Sequence, residues 1–475
     1  MTHYKMYVDG EWRDSSSKKP VLNVYTGKKI ATYAESSQED VALAVASAKK
    51  SFEENELSPY KRFEILSKAA KLLLEHEEEI AQSICAEAGR LLKESRGEVK
   101  RTALAIELAA EEAKRISGEM VPVDAMPGTE SKMCFTLRVP VGVVCAITPF
   151  NVPLSLTVHK VCPAIAAGNT VVLKPTQSTP GFAVKLVEIL LAAGLPAKHI
   201  SLVLGGGSTV GEALLKNQDI AFYTFTGSKD VGEHIKNTIG LRRCSMELGS
   251  NAAVIVHKDA PDVNAAASAC AGKGFANAGQ VCMKPQRLYV HQDILEAFTK
   301  QAVAVAQKLV VGDPVDPATD VGPMVKEEEV NRVDAWVKEA VAQGAKVLAG
   351  GEKVGSHCYK PTILTDVKKG MKVVDAEIFG PVVVIIPYTD FDSAIAQAND
   401  TIYGLQAGVY TANIGLAMKA AKRIQAGGVI INDTSFTRSD NMPYGGIKKS
   451  SAGGKEGPKY VIEAMTDVKT IFLSL

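Results

Sequence analysis

Cys282 closes the run Gly279-Gln280-Val281-Cys282, and the acidic run Met246-Glu247-Leu248-Gly249 lies about thirty-five residues before it. A cysteine offers what few side chains can. Its thiolate is strongly nucleophilic near neutral pH, and its sulfur leaves readily from an acyl carbon. That pair of properties suits a transient thioester. The competing reading is that Cys282 is one more small, buried, apolar residue. No neighbouring histidine supports a Cys-His pair, so a base must come from elsewhere in the chain.

The chain that must position this thiol has 475 residues, more than one ordinary core encloses, and two or three folding units are expected. Hydrophobic residues make up 46% and charged residues 23%, which is ordinary for a globular protein. The 54 basic and 53 acidic side chains nearly cancel. No overall field draws the chain to nucleic acid or to an anionic membrane, and a small substrate is expected. Cysteines 85, 134, 145, 162, 244, 270, 282 and 358 form no C-x-x-C pair, so neither a metal site nor a disulfide framework is indicated. The first residues lead into a hairpin signal at Asp9-Gly10, and no apolar run reaches the length of a membrane span. A reducing cytoplasm is the expected setting, and it leaves Cys282 free as a thiol.

Residues 60–118 read as two amphipathic helices, with Glu77, Glu78 and Glu79 on a solvated face. Alternation between Pro122 and Pro140 predicts an exposed ribbon. From Val141 short apolar strands alternate with helices, the sign of a parallel sheet. Strands are predicted at 143–147, 170–173, 200–204 and 221–225, each ending in a polar or glycine-rich turn. Ser178-Thr179-Pro180 predicts a helix start with a capping hydroxyl, and Gly194 its end. That carboxyl edge is where open α/β sheets bind ligands. The turn from Gly205 to Gly211 suits a phosphate, although Val210 stands where a dinucleotide fingerprint has its third glycine, and a plain strand-to-helix turn is an equal reading. A second α/β stretch covers 252–435, with helices at 263–276, 294–309 and 327–343 and strands at 381–387 and 428–432. The apolar tail Thr470-Ile471-Phe472-Leu473 reads as a strand added to another sheet.

Seven runs, Thr148-Pro149-Phe150-Asn151-Val152-Pro153, Leu173-Lys174-Pro175, Phe225-Thr226-Gly227-Ser228, Glu247-Leu248-Gly249, Gly279 to Cys282, Glu377-Ile378-Phe379-Gly380-Pro381 and Pro443-Tyr444-Gly445-Gly446, together resemble the aldehyde dehydrogenase superfamily across nearly the whole chain. The resemblance implies an α/β protein: a Rossmann-like nicotinamide-cofactor domain (1–121 and 141–251), an α/β catalytic domain (252–435) and a small β oligomerisation arm (122–140 with the C-terminal segment 436–475). It implies a homo-oligomer, dimer or tetramer. It also implies that Cys282 adds to an aldehyde, that Asn151 and the Cys282 N–H bind the oxyanion, and that Glu247 deprotonates the water that cleaves the thioester.

By the same resemblance the cofactor is held by Ile147, Thr148, Phe150, Lys174, Gln177, Gly207, Gly211, Phe225, Thr226, Gly227, Ser228, Leu248, Glu377 and Phe379. Lys174 matches the adenosine-ribose ligand, Gly207 and Ser228 the pyrophosphate turns, and Glu377 with Phe379 the nicotinamide-ribose clamp. Gln177 stands where NAD-preferring members often carry Glu. A neutral amide removes the repulsion of a 2′-phosphate, so NAD and NADP both stay open. Arg101, His159 and Arg438 match segments that face an anionic group in the branch resembling lactaldehyde, phosphonoacetaldehyde, sulfolactaldehyde and non-phosphorylating glyceraldehyde-3-phosphate dehydrogenases, and a guanidinium suits a carboxylate, sulfonate or phosphate. Against this, Arg101 sits on a helix that would expose it, His159 suits a satisfied core position, and Val281 replaces the Arg of some anion-handling relatives. Two rival functions stay open: an acylating enzyme in which coenzyme A takes the acyl group, and a non-catalytic protein on the same fold.

Overall fold

The protein is described here by a computed structural model covering residues 1–474. Five strands, Arg243–Glu247, Ile220–Thr226, Val143–Ile147, Thr170–Lys174 and Ile200–Leu202, lie side by side in that order and run parallel. Their chain order reverses between Val143–Ile147 and Ile220–Thr226, which opens a crevice at the carboxyl ends of those two strands. Thr148 to Asn151 and Gly227-Ser228 emerge there. The hairpin Met6–Val8 and Glu11–Arg13 extends one edge through Asp9 and Gly10, both at positive φ (57° and 82°), as a two-residue turn requires. At the other edge Ser451–Ala452 pairs antiparallel with Met246 and Glu247, so part of the C-terminal segment buttresses the Glu247 strand.

The second large sheet has the order Lys346–Ala349, Thr362–Thr365, Val382–Tyr388, Arg287–His291, Ala253–Val256, Gln406–Tyr410, Gly428–Ile431, and only its first strand is antiparallel. Its central strands Ala253–Val256, Arg287–His291 and Gln406–Tyr410 are buried on both faces. The ribbon expected from alternation is the strand Lys132–Pro140, and the tail Thr466–Ser474 pairs with it antiparallel along its whole length. With Met120–Val121 they make a separate three-stranded sheet.

Two expectations need correction. Residues 60–118 hold three helices, not two: Pro59–Glu75, Glu77–Ala88 and Leu92–Ala113. The break at His76 leaves Glu77 to Glu79 as the acidic first turn of the middle helix, where the dipole favours them, and Gly89 (φ 72°) ends it. The helix after Thr179 is Gly181–Ala193, and no side chain of the Ser178-Thr179-Pro180 run caps it. Glu87, from another helix, accepts the Gly181 N–H instead (2.9 Å). No helix among the described residues is long and apolar enough to cross a membrane, and no cluster of three or more metal-ligating side chains occurs among them.

Candidate active site

The helix Val263–Phe275 runs into a turn that holds the Cys282 loop in an unusual backbone shape. Asn277, Ala278 and Gly279 take φ values of 51°, 53° and 70° in succession. Non-glycine residues held there cost of order 1–3 kcal/mol each, and such strain clusters at functional sites. A Cβ on Gly279 would lie 2.0 Å from the Gly380 carbonyl oxygen, so this close approach needs glycine. Gln280 staples the turn: its amide donates to Asn277 O (3.2 Å) and Pro323 O (3.4 Å), and its oxygen accepts from Val325 N (2.9 Å). Cys282, half-buried, then lines a cleft of about 820 Å³ together with Asn151, Phe150, Ser228, Leu248, Glu377 and Phe379.

Asn151 is fixed from three sides. Its carbonyl accepts from Arg90 (3.0 Å) and from the Asn277 amide (3.0 Å), and its own amide donates to Gln280 O (2.9 Å). Glu98 accepts from Leu154 N and Ser155 N (2.9 and 3.1 Å), capping the next helix, Pro153–Ala167, and sits 3.0 Å from Arg90 Nε. The amide of Asn151 is thereby held on the cleft wall with one N–H committed and one left over.

Burial pushes the Cys282 thiol up to about 12; the Tyr444 hydrogen bond works against this, while Glu377 and Glu247 add to it. The resting sulfur is therefore a thiol. Glu247 is 3% exposed, and burial followed by the charge of Glu456 holds its carboxyl well above the usual range. One of its oxygens accepts weakly from Ser451 (3.4 Å) and the other has no partner. Gly445 packs so closely on it that a Cβ there would lie 2.4 Å from Glu247 Oε1. The neighbouring Tyr444 places its hydroxyl 3.2 Å from Cys282 Sγ, so the Tyr444-Gly445 pair touches both groups.

The other residues that the resemblance assigned to a cofactor fall into two groups, one lining the cleft and one outside its lining. Phe150 and Phe379 meet edge-on (6.1 Å, 85°), and Glu377 accepts the Ser250 N–H (2.8 Å) with its carboxyl raised to about 7 by burial. Thr226, Gly227, Ser228 and Leu248 line the same cleft, whereas Phe225 is buried beneath Gly227. Ser228 opens the helix Lys229–Ile239 without a side-chain cap, which leaves its hydroxyl free. Lys174, Gln177 and the glycine turn converge outside that lining. The Gln177 oxygen is 3.5 Å from where a Gly206 Cβ would stand, and Lys174 Cε is 3.8 Å from the same point on Gly211. Gly207 faces open space. The turn itself is wide, closed by Gly211 N donating to Gly206 O (3.1 Å).

These residues fit a nicotinamide dinucleotide. Buried Thr148 and Thr226 hydroxyls lack partners, and the buried Lys174 ammonium has one contact, to Pro175 O (3.5 Å), with its pKa lowered to about 8 by burial. Such orphaned donors suit a ligand rich in hydroxyl and phosphate oxygens. Ile147, half-buried at a strand end, forms the base of the crevice.

Arg101, His159 and Arg438 do not line this cleft. Arg101 binds both oxygens of Asp440 (2.7 and 2.8 Å), and His159 Nε2 meets Asp440 Oδ1 (3.1 Å). Arg438 donates to Glu456 (3.2 Å), lies over the Tyr444 ring at 4.0 Å, and keeps a buried Nε without a partner. The three therefore fall into two groups: Arg438 is linked through Tyr444 to Cys282, while Arg101 and His159 share Asp440.

The profile of the aldehyde dehydrogenase family matches residues 12–471. The chain belongs to that family. It is 52% identical over 472 residues to the 3-sulfolactaldehyde dehydrogenase of Priestia aryabhattai, covering 99% of this chain and 98% of the relative. Aldehyde dehydrogenase 21 of Physcomitrella patens, solved in complex with the reaction product succinate, superposes with a TM-score of 0.97 at 35% identity, covering 100% of this chain and 98% of that one. The glyceraldehyde-3-phosphate dehydrogenase of Methanocaldococcus jannaschii, complexed with NADP, gives 0.92 at 37% identity over 97% and 100% of the two chains. This aldehyde dehydrogenase is an NAD(P)-dependent oxidoreductase acting on aldehydes.

Sequence reasoning passed over several residues of this site. Arg90, Glu98 and Asn277 hold Asn151, and Lys160 and Glu456 set the field at Glu247. Only Asn277 carried a local signal, standing two residues before the Gly279 turn.

Proposed function

We propose that this enzyme oxidises a small aldehyde carrying an anionic group to its carboxylate, through a thioester on Cys282. Cys282 Sγ adds to the aldehyde carbon, and the carbonyl electron pair moves onto oxygen. That oxyanion is received by the free Asn151 amide N–H and the Cys282 N–H. When bound, an oxidised nicotinamide dinucleotide supplies the hydride acceptor. Glu247 in its ionised form takes a proton from water, the hydroxide attacks the thioester carbon, and the Cys282 sulfur leaves. The observation that carries this reading is the clamped Asn151 amide on the same cleft wall as Cys282.

Residues 1–121 with 141–251 are assigned to the cofactor, 252–435 to the nucleophile, and 122–140 with the tail to assembly. Exposed Met133, Leu137 and Phe472 on the arm sheet support a homo-oligomer, dimer or tetramer. Free thiols at all eight cysteines accord with a cytoplasmic setting. The sulfonate, dicarboxylate and phosphate compounds in the names of the relatives above support an anionic substrate. Water, rather than coenzyme A, is assigned as acyl acceptor because a buried carboxyl, Glu247, adjoins the site.

An aldehyde panel with NAD and NADP, with and without coenzyme A, tests this. Anionic aldehydes are expected to exceed propanal in kcat/KM at least ~10-fold. Reduced cofactor formed strictly with coenzyme A would overturn the carboxylate product; equal kcat/KM for propanal would overturn the anionic substrate.

A further inference from the structure

Tyr444 belongs to a run that resembles the family, yet the chemistry above gives it no task. Its position is pinned. Tyr444 N donates to Glu456 O (3.0 Å) and Glu456 N donates back to Tyr444 O (2.6 Å). The Arg438 guanidinium covers one face of the ring at 4.0 Å, and Val281, Met283 and Leu405 pack with it in one apolar cluster. The residue is 3% exposed, and its hydroxyl ends 3.2 Å from Cys282 Sγ. Among the described residues no other side chain hydrogen-bonds that sulfur.

We infer that Tyr444 is a catalytic residue: its O–H donates a hydrogen bond to the Cys282 sulfur, favouring the thiolate before it adds to the carbonyl and again when it leaves the acyl carbon. The inference rests on Cys282 being the nucleophile.

The direction of the bond follows from the state of the sulfur. A thiolate has no proton to give, and burial, then the neighbouring sulfur, hold the phenol well above its ordinary pKa, so against the Cys282 thiolate Tyr444 is the donor. The thiol proton therefore leaves to solvent, and the S–C bond forms from the thiolate while the Tyr444 O–H stays intact. In deacylation the S–C electron pair returns to sulfur, and the same O–H receives it. A hydrogen bond to a charged group shifts a pKa by about one to two units. Each unit raises the thiolate fraction about tenfold and lowers intrinsic nucleophilicity only about threefold, so a net gain of about three- to tenfold is expected near neutral pH.

The test is alkylation of Cys282 by iodoacetamide, without cofactor, from pH 6 to 10, with the adduct mapped by mass spectrometry. Tyr444→Phe keeps the ring and removes only the donor. It is expected to slow alkylation about three- to tenfold at pH 7.5 and to move the profile to higher pH. 3-Fluorotyrosine at position 444, a stronger donor with the ring retained, is expected to move the profile the other way and serves if the Phe variant folds poorly. Superimposable profiles with Cys282 labelled, or faster labelling in Tyr444→Phe, would sink the role of Tyr444 alone. An active wild-type enzyme whose Cys282 is quantitatively blocked would instead overturn the nucleophile assignment, and this inference with it.

Discussion

Lys160 Nζ donates to Glu456 Oε1 at 2.7 Å in the core, where the two side chains are 1% and 3% exposed. Arg438 meets the other Glu456 oxygen at 3.2 Å. Two cations thus hold one buried carboxylate charged, below the usual range, and that charge in turn raises Glu247, on which burial already acts. Glu247 can take a proton only when ionised, so thioester hydrolysis is expected to rise with pH through the raised pKa. Glu456→Gln removes the repelling charge and leaves Lys160 and Arg438 attracting Glu247. The acid limb of kcat is expected to move down by about one unit or more. Two buried cations lose their partner, so stability should fall by roughly 3–5 kcal/mol. A pH–rate profile and a thermal melt check both, and an unmoved acid limb in a folded variant would refute the coupling.

Asn151 has its carbonyl and one amide N–H spoken for by Arg90, Asn277 and Gln280. Asn151→Ala deletes the remaining donor but not the backbone carbonyl that Arg90 and Asn277 hold. kcat is expected to fall about 10²–10³-fold with a circular-dichroism spectrum like that of the wild type. An unchanged kcat would remove Asn151 from oxyanion binding.

Much of this site was legible because its parts sit in short runs. Gly279 to Cys282, Glu247 to Gly249 and Thr226 to Ser228 each pack their chemistry into a few neighbouring residues at the end of a strand or helix. The first parallel sheet was equally visible, since its strands buried on both faces are written as apolar runs, whereas in the second only 381–387 and 428–432 were read and central strands such as Arg287–His291, which begins and ends on polar side chains, were not. What escaped depends on pairing across the chain. Glu456 means little until Lys160, 296 residues away, lies against it. Glu98 looks like any helical glutamate until it caps the helix after Asn151. His76 gives no sign of a break, because histidine is tolerated within helices, and so two helices were read where three exist.

Gly279 and Gly344 both have positive φ, 70° and 105°, but different surroundings. A Cβ on Gly279 meets the Gly380 backbone, whereas one on Gly344 meets open space. Gly344→Ala should therefore carry only the backbone penalty, roughly 1–2 kcal/mol, with full activity. Gly279→Ala should cost at least ~3 kcal/mol and abolish turnover, since the turn that carries Cys282 must move. Denaturant melts of the two variants give the comparison; equal losses would mean that the Gly380 contact is soft.

Gln177 is exposed beside Gly206 and shares the region outside the cleft lining with Lys174 and the glycine turn. If the adenosine ribose sits there, an uncharged amide tolerates a 2′-phosphate, and a carboxylate would repel it. Gln177→Glu adds that charge without changing the side-chain length. The ratio of kcat/KM for NADP to that for NAD is expected to fall at least ~10-fold, chiefly through a higher KM for NADP, because like charges brought together cost several kcal/mol at a recognition site. The maximal rate with NAD should hold, since Cys282 and Asn151 are untouched. Raising ionic strength should narrow the difference, as screening weakens an exposed repulsion. An unaltered ratio at low salt would place the ribose away from Gln177.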